Sequence, residues 1–147
     1  MKRFQNVLCF VDAWAENQRA LHGAAKLAGR NGASLKIVDV IGDTSNWLGM
    51  LLKSHAGDLA QQHQSQLQGL AESVRSQVKT VTCELLHGRP AFAVVREVLR
   101  HGFDLVIKDA RGTSTHKTLL VGSIDMRLLR NCPCPVWLSA SDRGIAH

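Results

Sequence analysis

The feature that most constrains the fold is an alternation of short apolar runs with segments of helical periodicity along the chain. Five runs have the length and apolar character of strands buried in a sheet. Four segments between them carry apolar residues at three- and four-residue spacing, which is typical of amphipathic helices. The predicted strands are Asn6–Val11, Leu35–Ile41, Val78–Leu86, Phe103–Lys108 and Val136–Leu138. This order predicts an α/β fold with a five-stranded parallel sheet, helices on both faces and right-handed crossovers.

The helix boundaries follow from turn residues. Gly32 and Gly102 end the first and third helices, because glycine readily adopts the left-handed conformation that closes a helix. Pro90 begins the third helix, and the Ser123 hydroxyl caps the fourth. Residues 42–54 and 109–121 are predicted as loops. We expect the following residues to face the core: Ala20, Leu21, Ala24, Leu27 and Ala28, then Leu59, His63, Leu67, Leu70 and Val74, then Phe92, Val95 and Leu99, and finally Ile124, Leu128 and Leu129.

The composition is that of an ordinary globular domain. The chain has 147 residues, of which 45% are hydrophobic and 20% charged, which favours a single domain over residues 1–147. The basic residues behind the net charge of +6 are scattered and not interleaved with aromatic residues, so we expect no nucleic-acid partner. Every apolar run is shorter than the ~18 residues that span a bilayer, and the run before Asp12 is too short for a signal peptide. We therefore expect a cytoplasmic protein with no membrane partner.

The four cysteines, Cys9, Cys83, Cys132 and Cys134, are too few and too irregularly spaced for a disulfide framework. Only one residue separates Cys132 from Cys134, unlike the two-residue gap of zinc and thioredoxin-like sites. We interpret all four as structural, with a redox role as the alternative. His63 is interpreted as a partly covered histidine with satisfied hydrogen bonds. The sequence contains no Ser-His-Asp order, paired carboxylates or metal-ligand set, so the balance is against an enzyme and against a metal site.

The segment from Lys108 to Ser123 suggests a ligand. Strands one and four should flank the point where the winding of the sheet reverses, and such sheets bind ligands there, at the carboxyl ends of the strands. Nine residues separate Gly112 from the Gly122-Ser123 pair that opens the last helix. Glycines admit a phosphate close to the backbone, and a helix N-terminus offers N–H donors. No Walker or Rossmann motif is present, so the spacing alone fits either a phosphate site or a plain loop with a helix cap.

Several motifs together resemble the universal stress protein family along nearly the whole chain. They are Val11-Asp12, Gly88-Arg89-Pro90, Asp104-Leu105-Val106-Ile107, Gly122-Ser123 and Cys132-Pro133-Cys134-Pro135-Val136. Residues 103–108 and 135–137 are most similar to the half-domains of tandem members. The resemblance implies flavodoxin-like layering, as in adenine-nucleotide hydrolases. It also implies a homodimer formed through the last strand, Val136-Trp137-Leu138, which would otherwise leave an apolar sheet edge uncovered.

The resemblance further implies a nucleotide site in the crevice between strands one and four. Some members bind ATP through Gly-x-x-Gly, nine residues and Gly-Ser/Thr, whereas others lack this pattern and bind none. The implied binding residues are Asp12, Val40, Gly112, Gly122, Ser123 and Ile124. Asp109 stands where the first glycine belongs and would repel phosphate, unless Lys108 and Asp109 form an exposed ion pair. Trp14 follows Asp12 closely and could cover the mouth of the crevice.

These departures favour a dimeric, non-catalytic stress-response module that binds an unknown protein partner and binds ATP weakly or not at all. The rival interpretation is an ATP-binding member with slow phosphohydrolase or nucleotide-switch activity, which Gly112 and Gly122-Ser123 favour. A third interpretation keeps the fold and places a non-nucleotide, apolar ligand in the crevice.

Overall fold

The computed structural model describes residues 3–42, 53–110, 114–115, 118–119 and 122–140. Gly112 and most of the two predicted loops lie outside these residues. The strands are β1 Asn6–Phe10, β2 Ser34–Ile41, β3 Thr80–His87, β4 Leu105–Asp109, β5 Ser114–Thr115, β6 Thr118–Leu119 and β7 Val136–Ser139. The helices are α1 Arg19–Asn31, α2 Lys53–Val74, α3 Pro90–His101 and α4 Ser123–Asn131. All five predicted main strands are therefore present, with shifted ends.

The main sheet has the strand order β3-β2-β1-β4-β7, and every neighbouring pair is parallel. Phe10 at the end of β1 lies between Val38 of β2 and Lys108 of β4. The chain builds outward from β1 through β2 and β3, and then through β4 and β7 on the other side. The winding thus reverses between β1 and β4, as predicted. The short strands β5 and β6 form a separate antiparallel pair.

Two apolar layers cover the two faces of the sheet. One layer packs α1 and α2 against the sheet around Val7, Leu35 and Leu105. The other packs α3 and α4 around Leu8 and Val106. Successive residues of a strand point to opposite faces, so the continuous apolar runs of β1 and β4 supply both layers at once. This arrangement confirms the predicted sheet with helices on both faces.

Glycines end two helices as predicted. Gly32 follows α1 with φ 66°, and Gly102 follows α3 with φ 68°. Both angles lie in the left-handed region, where a side chain would be strained. Predicted core residues of α1 and α2, including Leu21, Leu67 and Val74, are fully buried. None of the described helices has an apolar stretch long enough to cross a bilayer.

The predicted inward face of α3 is wrong. Phe92 and Leu99 were expected in the core, but they are 66% and 69% exposed. The buried positions are instead one residue away, at Ala91, Val94 and Val98. Val95, the third predicted residue, packs only partly against the core.

A buried acidic side chain explains why the inward face of α3 differs from the predicted one. Glu97 lies on the same inward stripe and is 5% exposed. Its carboxylate contacts the Lys36 ammonium of β2, which also donates to Glu84 at 2.6 Å. A buried charge is tolerated where it is paired and hydrogen-bonded. The pattern of apolar residues alone does not predict a buried Glu97, and this is why the predicted inward face of α3 is wrong.

Other expectations about the helices also fail. Leu59 of α2 and Leu129 of α4 are about half exposed, although both were predicted to face the core. The helix α2 begins at Lys53, within the predicted loop 42–54. Ser123 does not cap α4: the N-cap is Gly122, with no side-chain cap bond, and Ser123 is the first helical residue. The extended backbone of Gly122 lets the helix begin one residue earlier than a serine cap would.

Candidate functional site

A cavity of about 880 Å³ opens at the carboxyl ends of β1, β2 and β4, beside the point where the winding reverses. This is the position at which open α/β sheets bind ligands. The strand ends contribute Phe10, Val11, Asp12, Asp39, Val40, Lys108, Asp109, Ala110 and Ser139 to its lining. The start of α4 contributes Gly122, Ser123 and Ile124, and the segment before α1 contributes Ala15, Glu16 and Asn17. Arg19 and Pro90, the first residues of α1 and α3, complete the lining.

The crevice contains most of the residues that the sequence predicted for a nucleotide site. Asp12, Val40, Gly122, Ser123 and Ile124 all line it. They come from the end of β1, from β2 and from the start of α4, which the parallel sheet brings together. Gly112, the sixth predicted residue, lies outside the described residues.

Asp109 is held at the edge of the crevice by a contact with α1. Its Oδ1 accepts a hydrogen bond from the backbone N–H of Ala20, in the first turn of α1, at 3.0 Å. The N-cap of α1, Gln18, makes no side-chain cap bond. Asp109 therefore performs this role from β4, because a carboxylate at a helix N-terminus satisfies a backbone donor and complements the helix dipole.

The alternative of an exposed Lys108–Asp109 ion pair is wrong. Lys108 is 4% exposed, and its ammonium contacts the carboxylate of Asp125. It also donates to the backbone carbonyl of Asp109 at 2.6 Å and lies 5.8 Å from the ring centre of Phe10. Asp125, in the first turn of α4, is fully buried. Lys108 is thus buried and paired with Asp125, which lies seventeen residues later in the sequence.

Asp125 and Asp39 were not predicted as residues of this site. An acid in the first turn of a helix is a common stabilising feature, and this was the one available signal for Asp125. Asp39 is a single acid near the end of an apolar strand, which gave no indication of its several partners.

Asp39 of β2 connects its own strand to the end of β1 and to α2. Its Oδ2 accepts the Ala13 N–H at 2.8 Å and lies 2.7 Å from His63 Nε2. Its Oδ1 accepts the N–H of Val40 at 2.7 Å. The ends of β1 and β2 are thereby fixed to each other and to α2. The prediction that His63 is a partly covered, hydrogen-bonded histidine is confirmed.

Trp14 does not close the crevice, contrary to the expectation from its size. Its side chain is 55% exposed and is absent from the lining. Its ring lies 5.9 Å from the His63 ring, on the side of α2. The backbone N–H of Trp14 donates to Asp12 Oδ1 at 3.0 Å, which turns the chain away after β1.

Among the described residues that line the crevice, acidic side chains outnumber basic ones. The described lining includes four carboxylates, those of Asp12, Glu16, Asp39 and Asp109, but only two cations, Arg19 and Lys108. The net charge of the chain is +6. The start of α4 adds a partial positive charge, which a helix N-terminus carries. Among the described residues, no three His, Cys, Asp or Glu side chains are arranged as metal ligands.

Comparison with protein families identifies the fold and its origin. The model of the universal stress protein family matches residues 3–139. The chain belongs to the universal stress protein family. It is 31% identical to universal stress protein E of Escherichia coli K12 over 148 aligned residues, which cover 94% of the chain and 46% of that protein. The chain thus spans about half the length of this relative.

Solved structures share the fold at lower identity. The universal stress protein UspA of Lactobacillus plantarum superposes with a TM-score of 0.81 and 23% identity, covering 95% of this chain and 99% of that one. A universal stress protein in complex with cAMP superposes with a TM-score of 0.71 and 18% identity, covering 96% and 100%. One from Archaeoglobus fulgidus in complex with dAMP gives 0.66 and 15%, covering 93% and 98%. These likenesses establish the five-stranded α/β architecture.

Proposed function

We propose that this universal stress protein is a non-catalytic ligand-binding module whose crevice binds an adenine nucleotide with one phosphate in preference to ATP. The carboxylate of Asp109, held at the crevice by the backbone N–H of Ala20 in α1, is the observation that supports this preference. Two structural neighbours were solved with nucleotides that carry a single phosphate, cAMP and dAMP. In this role the protein acts in the cytoplasm and signals to a protein partner.

The base and ribose end of the site is formed by Asp12 and Val40. The family pattern gives the first position a contact with nucleotide and the second a place near adenine. Both residues line the crevice, and the bonds from Asp39 to Ala13 and Val40 fix the adjoining backbone. A site whose walls are held in this way loses little conformational freedom on binding.

The phosphate end is formed by the start of α4. Gly122 and Ser123 line the crevice there, at the positive end of a nine-residue helix, which favours an anion. Lys108 adds little net charge, because Asp125 neutralises it. A second and third phosphate extend the negative charge toward Asp109. Two unit charges about 5 Å apart repel by roughly 1–3 kcal/mol at effective dielectric constants between those of water and a protein surface.

Isothermal titration calorimetry with adenosine, AMP and ATP-magnesium tests the proposal. We expect AMP to bind more tightly than ATP, and adenosine to bind more weakly than AMP. Gly122→Val should weaken AMP binding about tenfold but leave adenosine unchanged, because the added methyl groups crowd the helix entrance. The backbone of Gly122, with φ −68° and ψ 163°, accepts valine without strain, so the variant should fold. Tighter binding of ATP than of AMP would contradict the proposal.

A second candidate function is that of an ATP-binding member with slow phosphohydrolase or switch activity. The observation that favours it is the Gly122-Ser123 pair at the crevice, which the family pattern places at the phosphates. Freshly purified protein decides between the two functions. ATP or ADP released on denaturation, together with phosphate release from added ATP, would support this second function over the first.

We also propose that the protein forms a homodimer through β7. This strand is the last in the main sheet, so one of its backbone edges pairs with no described strand. Trp137 is 46% exposed there, and Val136 and Leu138 are half-buried. An apolar edge of this kind is an aggregation hazard unless it is covered, and a second copy covers it symmetrically.

Sedimentation velocity tests the dimer. The wild-type chain should be dimeric at concentrations of tens of micromolar, roughly the range that detects a modest interface. Trp137→Lys should shift it toward monomer, because a lysine on an edge strand opposes pairing. Thr82→Lys is the matched control, since Thr82 is exposed on β3 at the opposite edge of the sheet. A monomeric wild-type chain would refute the interface.

A further inference from the structure

Two cysteines lie side by side where α4 leads into β7. Cys132 is the C-cap of α4, and its backbone N–H donates to the carbonyl of Leu128 at 2.9 Å. Cys134 follows after one intervening residue, Pro133, and lies two residues before β7 begins. Their Sγ atoms are 3.7 Å apart. Both side chains are partly buried against the layer formed by α3 and α4.

The two sulfurs are within easy reach of a covalent bond. A disulfide has an S–S length of about 2.05 Å, so each Sγ has to move by less than about 1 Å. Pro133 lies between the cysteines and Pro135 follows them, and the ring of each proline fixes its own φ angle. The backbone of the segment therefore has little freedom to carry the two cysteines apart. We propose that Cys132 and Cys134 form a dithiol site that low-molecular-weight disulfides oxidise to an intramolecular disulfide.

The reaction consists of two thiol–disulfide exchanges. The Cys132 thiolate attacks one sulfur of an aliphatic disulfide RSSR, forms Cys132–S–S–R and releases the first RSH after protonation. Cys134 then attacks Cys132 Sγ, the mixed disulfide breaks, and the second RSH leaves with the Cys134 proton. The dithiol loses two electrons and two protons, and RSSR gains both.

The environment of Cys134 favours its use in the second step. Burial, followed by the neighbouring Cys132, raises the pKa of the Cys134 thiol to about 12. The thiolate is the attacking form, so Cys134 at neutral pH is a poor first nucleophile and serves in the second step, against a sulfur already 3.7 Å away.

The remaining cysteines differ from this pair. Cys9 is fully buried in β1, and burial raises its pKa. Cys83 lies on β3 and packs against the apolar layer formed by α1 and α2, on the opposite face of the sheet from the dithiol. The dithiol also lies at the amino end of β7, whereas the crevice opens at the carboxyl ends of the strands. Its oxidation therefore does not depend on the proposed nucleotide site.

Mass spectrometry of the full chain in glutathione buffers tests the site. Reduced protein is equilibrated with oxidised and reduced glutathione, quenched with acid, blocked with a maleimide and digested. We expect the wild-type peptide that holds both cysteines to lose two hydrogens and to retain neither maleimide nor glutathione. Cys134→Ser should instead accumulate one glutathione on Cys132, with complete loss of ring closure. Cys83→Ser is the matched control and should close its disulfide as the wild type does.

Two results would overturn the proposal. The first is a wild-type peptide that retains glutathione on either cysteine without closing the ring. The second is a wild-type peptide whose thiols both stay free under conditions that modify Cys83. Both results are read from the wild-type chain, so they hold even where a serine variant folds poorly.

Discussion

The buried ion pair between Lys108 and Asp125 should dominate the stability of the crevice wall. Both side chains are almost without solvent contact, at 4% and 0% exposure. Asp125→Asn preserves the shape of the side chain and removes its charge. The Lys108 ammonium then stays in the interior without a counter-charge from this position.

The size of the effect follows from the burial. Removing one partner of a buried pair costs about 3–5 kcal/mol, because the remaining charge keeps its desolvation penalty. Lys108 retains the Asp109 carbonyl at 2.6 Å and borders the crevice, which places the expected cost near the lower limit. A loss of about 3 kcal/mol lowers Tm by roughly 6–12 °C in a chain of this size.

Urea unfolding of four variants measures the pair. Asp125→Asn and Lys108→Met should each destabilise the chain, and the double variant should lose about 2–3 kcal/mol less than the sum of the two. Glu72→Gln is the control, because it breaks the Arg75–Glu72 pair on the surface, with exposures of 51% and 67%. That change should stay below about 1 kcal/mol. If Asp125→Asn costs no more than Glu72→Gln, the pair does not stabilise the fold as argued.

Two further predictions concern a helix contact and the dithiol. Gly29→Ala should lower the urea midpoint of unfolding, because the added Cβ would lie 2.5 Å from the backbone oxygen of Gln77. Gly23 lies on the same helix, but its Cβ would meet open space, so Gly23→Ala should raise the free energy of unfolding by about 0.5–1 kcal/mol. Equal effects of the two alanines would contradict this packing. Closure of the Cys132–Cys134 disulfide should accelerate up to roughly tenfold per pH unit above about pH 7, because the thiolate fraction of a thiol with a pKa of about 12 rises about tenfold per pH unit. Acid-quenched reactions at several pH values measure the closure rate. A rate that does not change with pH would contradict the role of Cys134 as the second nucleophile.

The parallel sheet and its reversal between strands one and four could be predicted because the pattern of strand and helix is repeated along the chain. Each apolar run is followed by a helical segment, and this alternation permits few topologies. The inward face of α3 could not be predicted from the sequence. Its correct assignment depends on a buried Glu97, which is tolerated because Lys36 of β2 lies opposite. This pairing spans sixty-one residues of sequence, and no local pattern records it.

The same distinction applies to the crevice. Asp12 and Gly122 could be placed at the crevice because they stand at the end of strand one and at the start of the last helix, which the topology brings together, whereas Val40 was implied only by the family resemblance. The contact from Asp109 to Ala20 could not be predicted, since it joins residues eighty-nine positions apart. From the sequence, Asp109 was expected to be either a charge facing phosphate or part of an exposed ion pair. In the structure its carboxylate also caps α1, so one side chain serves the helix and borders the crevice.

The double role of Asp109 determines which measurement tests the proposed function most directly. Asp109→Asn retains an oxygen for the Ala20 N–H and removes the negative charge, whereas Asp109→Gly removes both. The titration compares ATP-magnesium binding to the wild type and to these two variants. Asp109→Asn should bind ATP about ten- to a hundredfold more tightly than the wild type, the equivalent of roughly 1–3 kcal/mol. Asp109→Gly should show a similar gain but unfold at lower urea, since α1 loses its cap. Equal ATP affinity in the wild type and Asp109→Asn would contradict the claim that this carboxylate sets the ligand preference of the crevice.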